Sequence, residues 1–338
     1  MTTPALALRP GAAVDVVVPA SAANLGPGFD SMGLALGVYD SYRAVVRAEP
    51  GLELDLGPDS QGVPTDETHL VVATMYRAWD ELGVERPAGL TLVCRNTIRM
   101  GRGMGSSAAA IVAGIALAHG LTRPEAAEGT PDGTPVPIDL DAVNDLAGLL
   151  EGHPDNASAS VYGGATLSYL LPNEAPQSVP PVRTIRLPLH SDIEPIVFVP
   201  AIQLSTATAR AVLPAQVPHP HAALNSARAG VLVHALTLDP ALLLPGTVDW
   251  LHQEQRRESY SDAMALVDAL RAQEHAAVIS GAGPSVLVLT TTPVADDVQA
   301  PAQLAEQWTR LRPGVPDVGV CVRRATLGTS LGERAVRS

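Results

Sequence analysis

Apolar positions along the chain change period several times, and each change marks an element. Val14-Asp15-Val16-Val17-Val18 is short and β-branched, which predicts a strand entering a loop over residues 19–28. Residues 38–47 alternate loosely, with Tyr39, Tyr42, Val45 and Val46, and read as a second strand. Over 68–82, Val71, Val72, Met75, Tyr76, Trp79 and Leu82 recur at three- and four-residue steps, the period of an amphipathic helix, and Gly83 ends it. A strand over 90–94 leads toward a glycine-rich turn, and 106–119 forms a small-residue helix ending at Gly120. Residues 123–138, rich in Pro, Gly and Thr, read as a surface insertion. A helix over 139–150 then runs into Glu151-Gly152-His153-Pro154-Asp155-Asn156.

Beyond a Pro-rich break at 172–181, strand signals at 196–199, 276–279 and 286–289 mix with helix signals at 206–213, 222–236 and 259–272. Strands and helices in both halves indicate an α/β or α+β protein. The break divides it near residue 172, into units 1–172 and 173–338.

Composition narrows the function. With 46% apolar and 17% charged residues, the 338-residue chain has material for a sizeable core. Lys and Arg total 22 against 35 Asp and Glu, a net charge of −13. Such a surface repels nucleic acid and anionic membranes, so neither is an expected partner. Cys94 and Cys321 form no metal-spaced pair, and Cys94 reads as a buried free thiol. The chain starts without a signal-peptide pattern, and its longest apolar run, 108–118, falls short of the roughly 20 residues of a membrane span. These features predict a soluble cytoplasmic protein.

Three glycine-rich segments carry the chemistry. Gly101-Arg102-Gly103-Met104-Gly105-Ser106-Ser107 joins a strand to a helix. Glycines let backbone approach a bulky anion, and the first helical turn offers unpaired N–H donors, so a phosphate fits there. The segment is not a P-loop, because no lysine follows Gly105. The alternative is a tight strand-to-helix turn with a serine cap. In Pro19-Ala20-Ser21-Ala22-Ala23-Asn24-Leu25-Gly26-Pro27-Gly28-Phe29-Asp30, Asn24 and Asp30 either grip a small polar molecule or make an ordinary Asx turn. Ser280-Gly281-Ala282-Gly283-Pro284-Ser285 reads as a hairpin, or as support for the site from the other half.

Taken together, PASAANLGPGFDSMGLAL, GRGMGSSAAA and SGAGPS resemble, in order and spacing, the three motifs of the GHMP kinases. The similarity continues in EGHPDN (151–156), STATARAVLP (205–214) and DWLHQEQR (249–256), and spans roughly residues 12–325. These last segments resemble the members that phosphorylate the side-chain hydroxyl of L-homoserine in threonine synthesis. The resemblance implies a two-domain α+β fold, with an N-terminal domain like ribosomal protein S5 domain 2 and a ferredoxin-like C-terminal domain. It also implies a homodimer.

The resemblance further implies roles, residue by residue. Arg102, Gly103, Met104, Gly105, Ser106 and Ser107 belong to the loop that wraps the ATP triphosphate. Ser107 and Glu151 match the Mg²⁺ ligands, with Asp145 a second candidate for the carboxylate. Asn24, Asp30, His153, Asn156, Thr206, Arg210 and Arg256 match the L-homoserine pocket: the arginines offer forked donors to a carboxylate, and Asp30 suits an ammonium. Asn156, Glu151 and Ser107 are the candidate catalytic residues. An amide at 156 cannot act as a general base, so the reading is that no protein base is essential. Two alternatives remain open: a GHMP kinase acting on a mevalonate derivative or a sugar, and a nucleotide-binding sensor without catalysis.

Overall fold

The computed structural model describes residues 6–58, 60, 62–171, 181–204, 206–326 and 331. Two sheets organise it. The larger has seven strands: Cys321–Arg324, Ala13–Ala23, Met32–Arg47, Gly89–Arg95 and Gly51–Asp55 in spatial order, with Ala165–Leu170 also on Met32–Arg47 and Val182–Leu187 beyond it. The smaller runs Ala276–Ile279, Val286–Thr291, Ile193–Pro200, Trp308–Leu311, all antiparallel. In its own sequence numbering this order is 2-3-1-4, as in a ferredoxin-like sheet. Between its third and fourth strands stand only 3₁₀ turns, at Thr292–Asp297 and Ala305–Gln307, where that fold has a helix.

Period-2 alternation explains the smaller sheet's runs of apolar residues. Val197 and Val199 face one core, shared with the larger sheet, while Ile196 and Phe198 face another, against helix Ser261–Arg271. Both faces are covered there, so residues 196–199 are all apolar. Helix Ser106–Leu121 is equally extreme. It has no polar face after its first turn, and Trp79 of helix Leu70–Leu82 donates from Nε1 to its Ala118 carbonyl at 3.2 Å. Cys94 is buried as expected, and desolvation, helped by the Asp40 carboxylate, pushes its thiol up to about 12, leaving it inert.

Several elements depart from expectation. The first strand does not stop at Val18 but continues to Ala23, through a bulge at Pro19/Ala20, because its partner Met32–Arg47 also starts earlier than residue 38. Residues 123–138 are not a free insertion. Val136 N–H bonds the Val322 carbonyl at 2.9 Å, Arg324 Nε bonds the Ala127 carbonyl at 3.0 Å, and Ala126 and Val136 are buried. The helix read over 259–272 is a 3₁₀ segment, Glu254–Tyr260, followed by Ser261–Arg271. The Pro-rich residues 172–180 lie outside the described residues. Strands on both sides of them, Ala165–Leu170 and Val182–Leu187, pair with each other, so the larger sheet draws on both sides of residue 172. Among the described residues no helix is long and apolar enough to cross a membrane.

Phe198 is 1% exposed between the strands and helix Ser261–Arg271. Replacing it with Ala should lower stability by about 3–5 kcal/mol through lost contact and the cavity left behind, read as a lower urea midpoint with an unchanged m-value.

Candidate active site

A cavity of about 180 Å³ opens where all three glycine-rich segments meet. Local sequence explains the meeting. Helix Leu140–Glu151, capped by Asp139 accepting from the Asp141 and Ala142 N–H groups, stops at Gly152 (φ +85°). Pro154 then starts helix Pro154–Tyr162 at its first position, where a missing N–H costs nothing. The sharp corner between the helices brings Glu151, His153, Asp155 and Asn156 to the cavity wall.

The phosphate-loop segment lies opposite. Gly103 adopts φ +73°, and a Cβ there would stand 2.3 Å from the Ser280 carbonyl oxygen, so only glycine fits. Ser280 Oγ in turn donates to the Gly103 carbonyl at 2.6 Å. The SGAGPS hairpin therefore braces the loop, and its Gly281 and Ala282 line the cavity. Gly103, Gly105, Ser106 and Ser107 line it too, at the N-terminus of helix Ser106–Leu121, whose free N–H groups suit an anion. The other two loop residues predicted for ATP face elsewhere. Arg102 spends its guanidinium on the carbonyls of Pro200 (3.0 Å), Met100 (3.0 Å) and Ala201 (2.7 Å), clamping the loop to the smaller sheet. Met104 is buried in the core.

Ser107 Oγ donates to Glu151 Oε2 at 3.0 Å. Two converging oxygens beside an anion-binding helix end fit a hard cation completed by phosphate oxygens and water. Desolvation raises the Glu151 pKa, against the opposing pull of His153 and Ser107. Asp145 is elsewhere: it accepts from the Val182 N–H at 3.1 Å and does not line the cavity.

The remaining wall carries charges of both signs. Arg210 makes a forked pair with Asp30, so the two groups expected to hold a carboxylate and an ammonium hold each other. Both are about one-third exposed. Arg256 is 1% exposed, and among the described residues no carboxylate lies within 4 Å of it. Its Nε donates to the Ala209 carbonyl at 2.9 Å, and Nη1 meets His252 Nδ1 at 3.3 Å. His252 Nε2 reaches the Gly26 carbonyl at 2.9 Å, which assigns the neutral tautomer that leaves Nδ1 as acceptor. Burial lowers the pKa of both groups. Phe29 stands between the arginines, its ring 5.6 Å from Arg210 and 5.5 Å from Arg256.

Asn24 lines the cavity, but its amide ties the first segment to the third, donating to the Gly281 carbonyl at 2.9 Å and accepting from the Asp30 N–H at 3.0 Å. Thr206 starts helix Thr206–Ala211, and its side chain lies outside the described residues. Ser21, Phe29, Asp155 and His252 were not among the sequence candidates. Each sits inside a motif already singled out, yet a small, apolar or buried residue there has no signal of its own.

His153 Nδ1 lies 2.8 Å from Asp155 Oδ1. Burial opposes the charged imidazole, but the Asp155 contact outweighs it, and the pKa ends above 6.5. A folded-state pKa raised this way adds stability that is full below about pH 6.5 and fades as pH rises through the folded value. Asp155→Asn should therefore lower the His153 pKa in an NMR titration. Its stability deficit should be largest at acidic pH and shrink toward neutrality.

The comparisons with known proteins agree along the chain. The GHMP kinases N terminal domain model matches residues 69–164, and the GHMP kinases C terminal model matches 234–310. The homoserine kinase of Streptomyces coelicolor is 47% identical over 313 residues, covering 92% of this chain and 94% of that one. That of Leifsonia xyli is 43% identical over 327 residues, 96% of each chain. Among solved structures, a putative homoserine kinase from Listeria monocytogenes has a TM-score of 0.68 at 28% identity, covering 93% of this chain and 100% of that one. Homoserine kinase from Cytophaga hutchinsonii has a TM-score of 0.75, covering 92% and 97%; at 23% identity it speaks to the fold alone.

Proposed function

This chain belongs to the homoserine kinases of the GHMP kinase family, and on that premise we propose how its residues divide the transfer of the ATP γ-phosphoryl group to the side-chain hydroxyl of L-homoserine. The observation that carries the substrate assignment is Arg256. A buried cation without a carboxylate partner is costly, and a ligand carboxylate removes that cost. A sugar or another uncharged acceptor gives it no such partner.

Backbone N–H groups of Gly103–Ser107 and the helix end hold the phosphates. Ser107 and Glu151 are the residues that would hold Mg²⁺, which when bound neutralises charge on the transferring group. L-homoserine carries both charges that the Asp30–Arg210 pair now satisfies internally. Its carboxylate exchanges for Asp30 on Arg210 and also meets Arg256, while its ammonium takes Asp30. The exchange keeps each group paired, so binding leaves no new charge unpartnered.

Asn156 lines the cavity beside Gly105 and Gly281, and from there it directs the acceptor hydroxyl. The oxygen–phosphorus bond forms as the bond from the γ-phosphorus to the β–γ bridging oxygen breaks. The hydroxyl proton passes to a γ-phosphate oxygen, giving O-phospho-L-homoserine and ADP. His153 is held by Asp155 and adjoins Asp30, a position that serves the ammonium end of the substrate. We place the reaction in the cytoplasm, where the free thiols of Cys94 and Cys321 stay reduced.

An ATP-coupled assay with L-homoserine, mevalonate and galactose should show turnover of L-homoserine alone; its absence with Mg²⁺ supplied defeats the assignment. In the same assay Arg256→Met should reduce kcat/KM for L-homoserine by about 10²-fold or more, the usual cost of unpairing a buried charge. His153→Gln should keep kcat within about 10-fold, short of the 10²–10⁴ that a lost general base removes; a larger fall at unchanged KM assigns the proton to the imidazole.

A further inference from the structure

We propose that Ser21 is a positioning residue for the reaction: its hydroxyl locks the Asn156 amide in the one orientation that presents a donor, not an acceptor, to the cavity. Ser21 is fully buried near the end of strand Ala13–Ala23. Its Oγ donates to Asn156 Oδ1 at 3.0 Å, an amide oxygen that can only accept, and lies 3.3 Å from Ser160 Oγ. Ser160 Oγ also lies 3.1 Å from the Pro19 carbonyl.

The two ends of the amide therefore meet different surroundings. Oδ1 faces Ser21 and Gly105, where a Cβ would lie 2.3 Å from Ser21 Oγ and 3.0 Å from Asn156 Oδ1. Nδ2 faces Gly281, another residue of the cavity lining, and has no hydrogen-bond partner among the described residues. Flipping the amide would leave the Ser21 hydroxyl proton without the carbonyl oxygen it donates to and turn that oxygen toward the cavity. With Nδ2 inward, Asn156 donates to the acceptor hydroxyl oxygen and cannot take its proton. That leaves the O–H free to point at a γ-phosphate oxygen.

Ser21 also touches the phosphate loop: its N–H donates to the Met104 carbonyl at 3.1 Å, and its Oγ packs against Gly105. Removing the hydroxyl spares the backbone hydrogen bond to the loop and breaks the one to the amide. The inference rests on the reading of Asn156 as the group facing the acceptor.

A double-mutant cycle on the full chain tests it, with Ser21→Ala, Asn156→Ala and both together, assayed with ATP, Mg²⁺ and L-homoserine. Ser21→Ala should lower kcat about 3- to 10-fold, the size of one neutral hydrogen bond, with both KM values within about 2-fold. In the Asn156→Ala background the same change should have an effect below about 2-fold. Effects that multiply mean Ser21 does not act through Asn156 and overturn the proposal. A rise in KM for ATP matching the fall in kcat overturns it too, since it assigns Ser21 to the phosphate loop. Should Ser21→Ala fail to accumulate folded, Ser21→Cys, of similar volume and a weaker donor, takes its place in the cycle. Wild-type turnover is measured first: its absence defeats the homoserine reading and this inference together, whereas turnover with multiplicative effects defeats this inference only.

Discussion

A helix without a polar face can be seated only inside a core, and it can meet a polar ligand only at its end. Helix Ser106–Leu121 imposes that constraint on the whole molecule. The larger sheet, helix Leu70–Leu82 and helix Leu140–Glu151 surround its body, because any side left uncovered would expose a strip of Ala, Ile, Val and Leu. Its N-terminus is the one place where backbone donors remain unpaired, and there the cavity forms. The geometry of this end of the cavity thus follows from how an apolar helix must be packed.

The charged wall of the cavity depends on how the fold distributes its ion pairs. Arg210 and Asp30 pair, yet each side chain stays about one-third exposed. Arg256 is held in place by neutral groups, the Ala209 carbonyl and His252, and so keeps its charge available. His252 holds that position through the Gly26 carbonyl, and Asp249 accepts three backbone N–H bonds that fold the segment around it. Asp40 does comparable work near the loop: buried, it accepts from the Thr97 and Ile98 N–H groups and the Asn96 amide, anchoring the chain just before the glycines. Carboxylates placed on backbone donors stiffen the frame without drawing the arginines away.

Much of this was legible along the chain. The helices over 68–82 and 106–119 and the strands at 276–279 and 286–289 carry strong periodicity or clear turn residues, and they stand within a few residues of where they were read. Errors fell where a long-range partner overrides local signals. The first strand continues through Pro19 because Met32–Arg47 pairs with it, and residues 123–138 are held by Cys321–Arg324, some 190 positions away. Segment Val182–Leu187 looked like part of a second unit because the Pro-rich stretch before it is conspicuous, but its hydrogen bonds go back to Ala165–Leu170.

The feature that the sequence alone determined is the glycine-rich turn that opens helix Ser106–Leu121. Gly103, Gly105, Ser106 and Ser107 are a local pattern, and glycine's backbone freedom and a helix N-terminus act over a few residues wherever they occur. What only the tertiary structure decided is which charges remain free. Arg102, Arg210 and Arg256 are alike in the sequence; one is spent on carbonyls, one is paired with a carboxylate 180 residues away, and one is buried with no carboxylate beside it among the described residues. Coulomb and desolvation energies depend on distance in space and on burial, and a sequence specifies neither until the chain has folded.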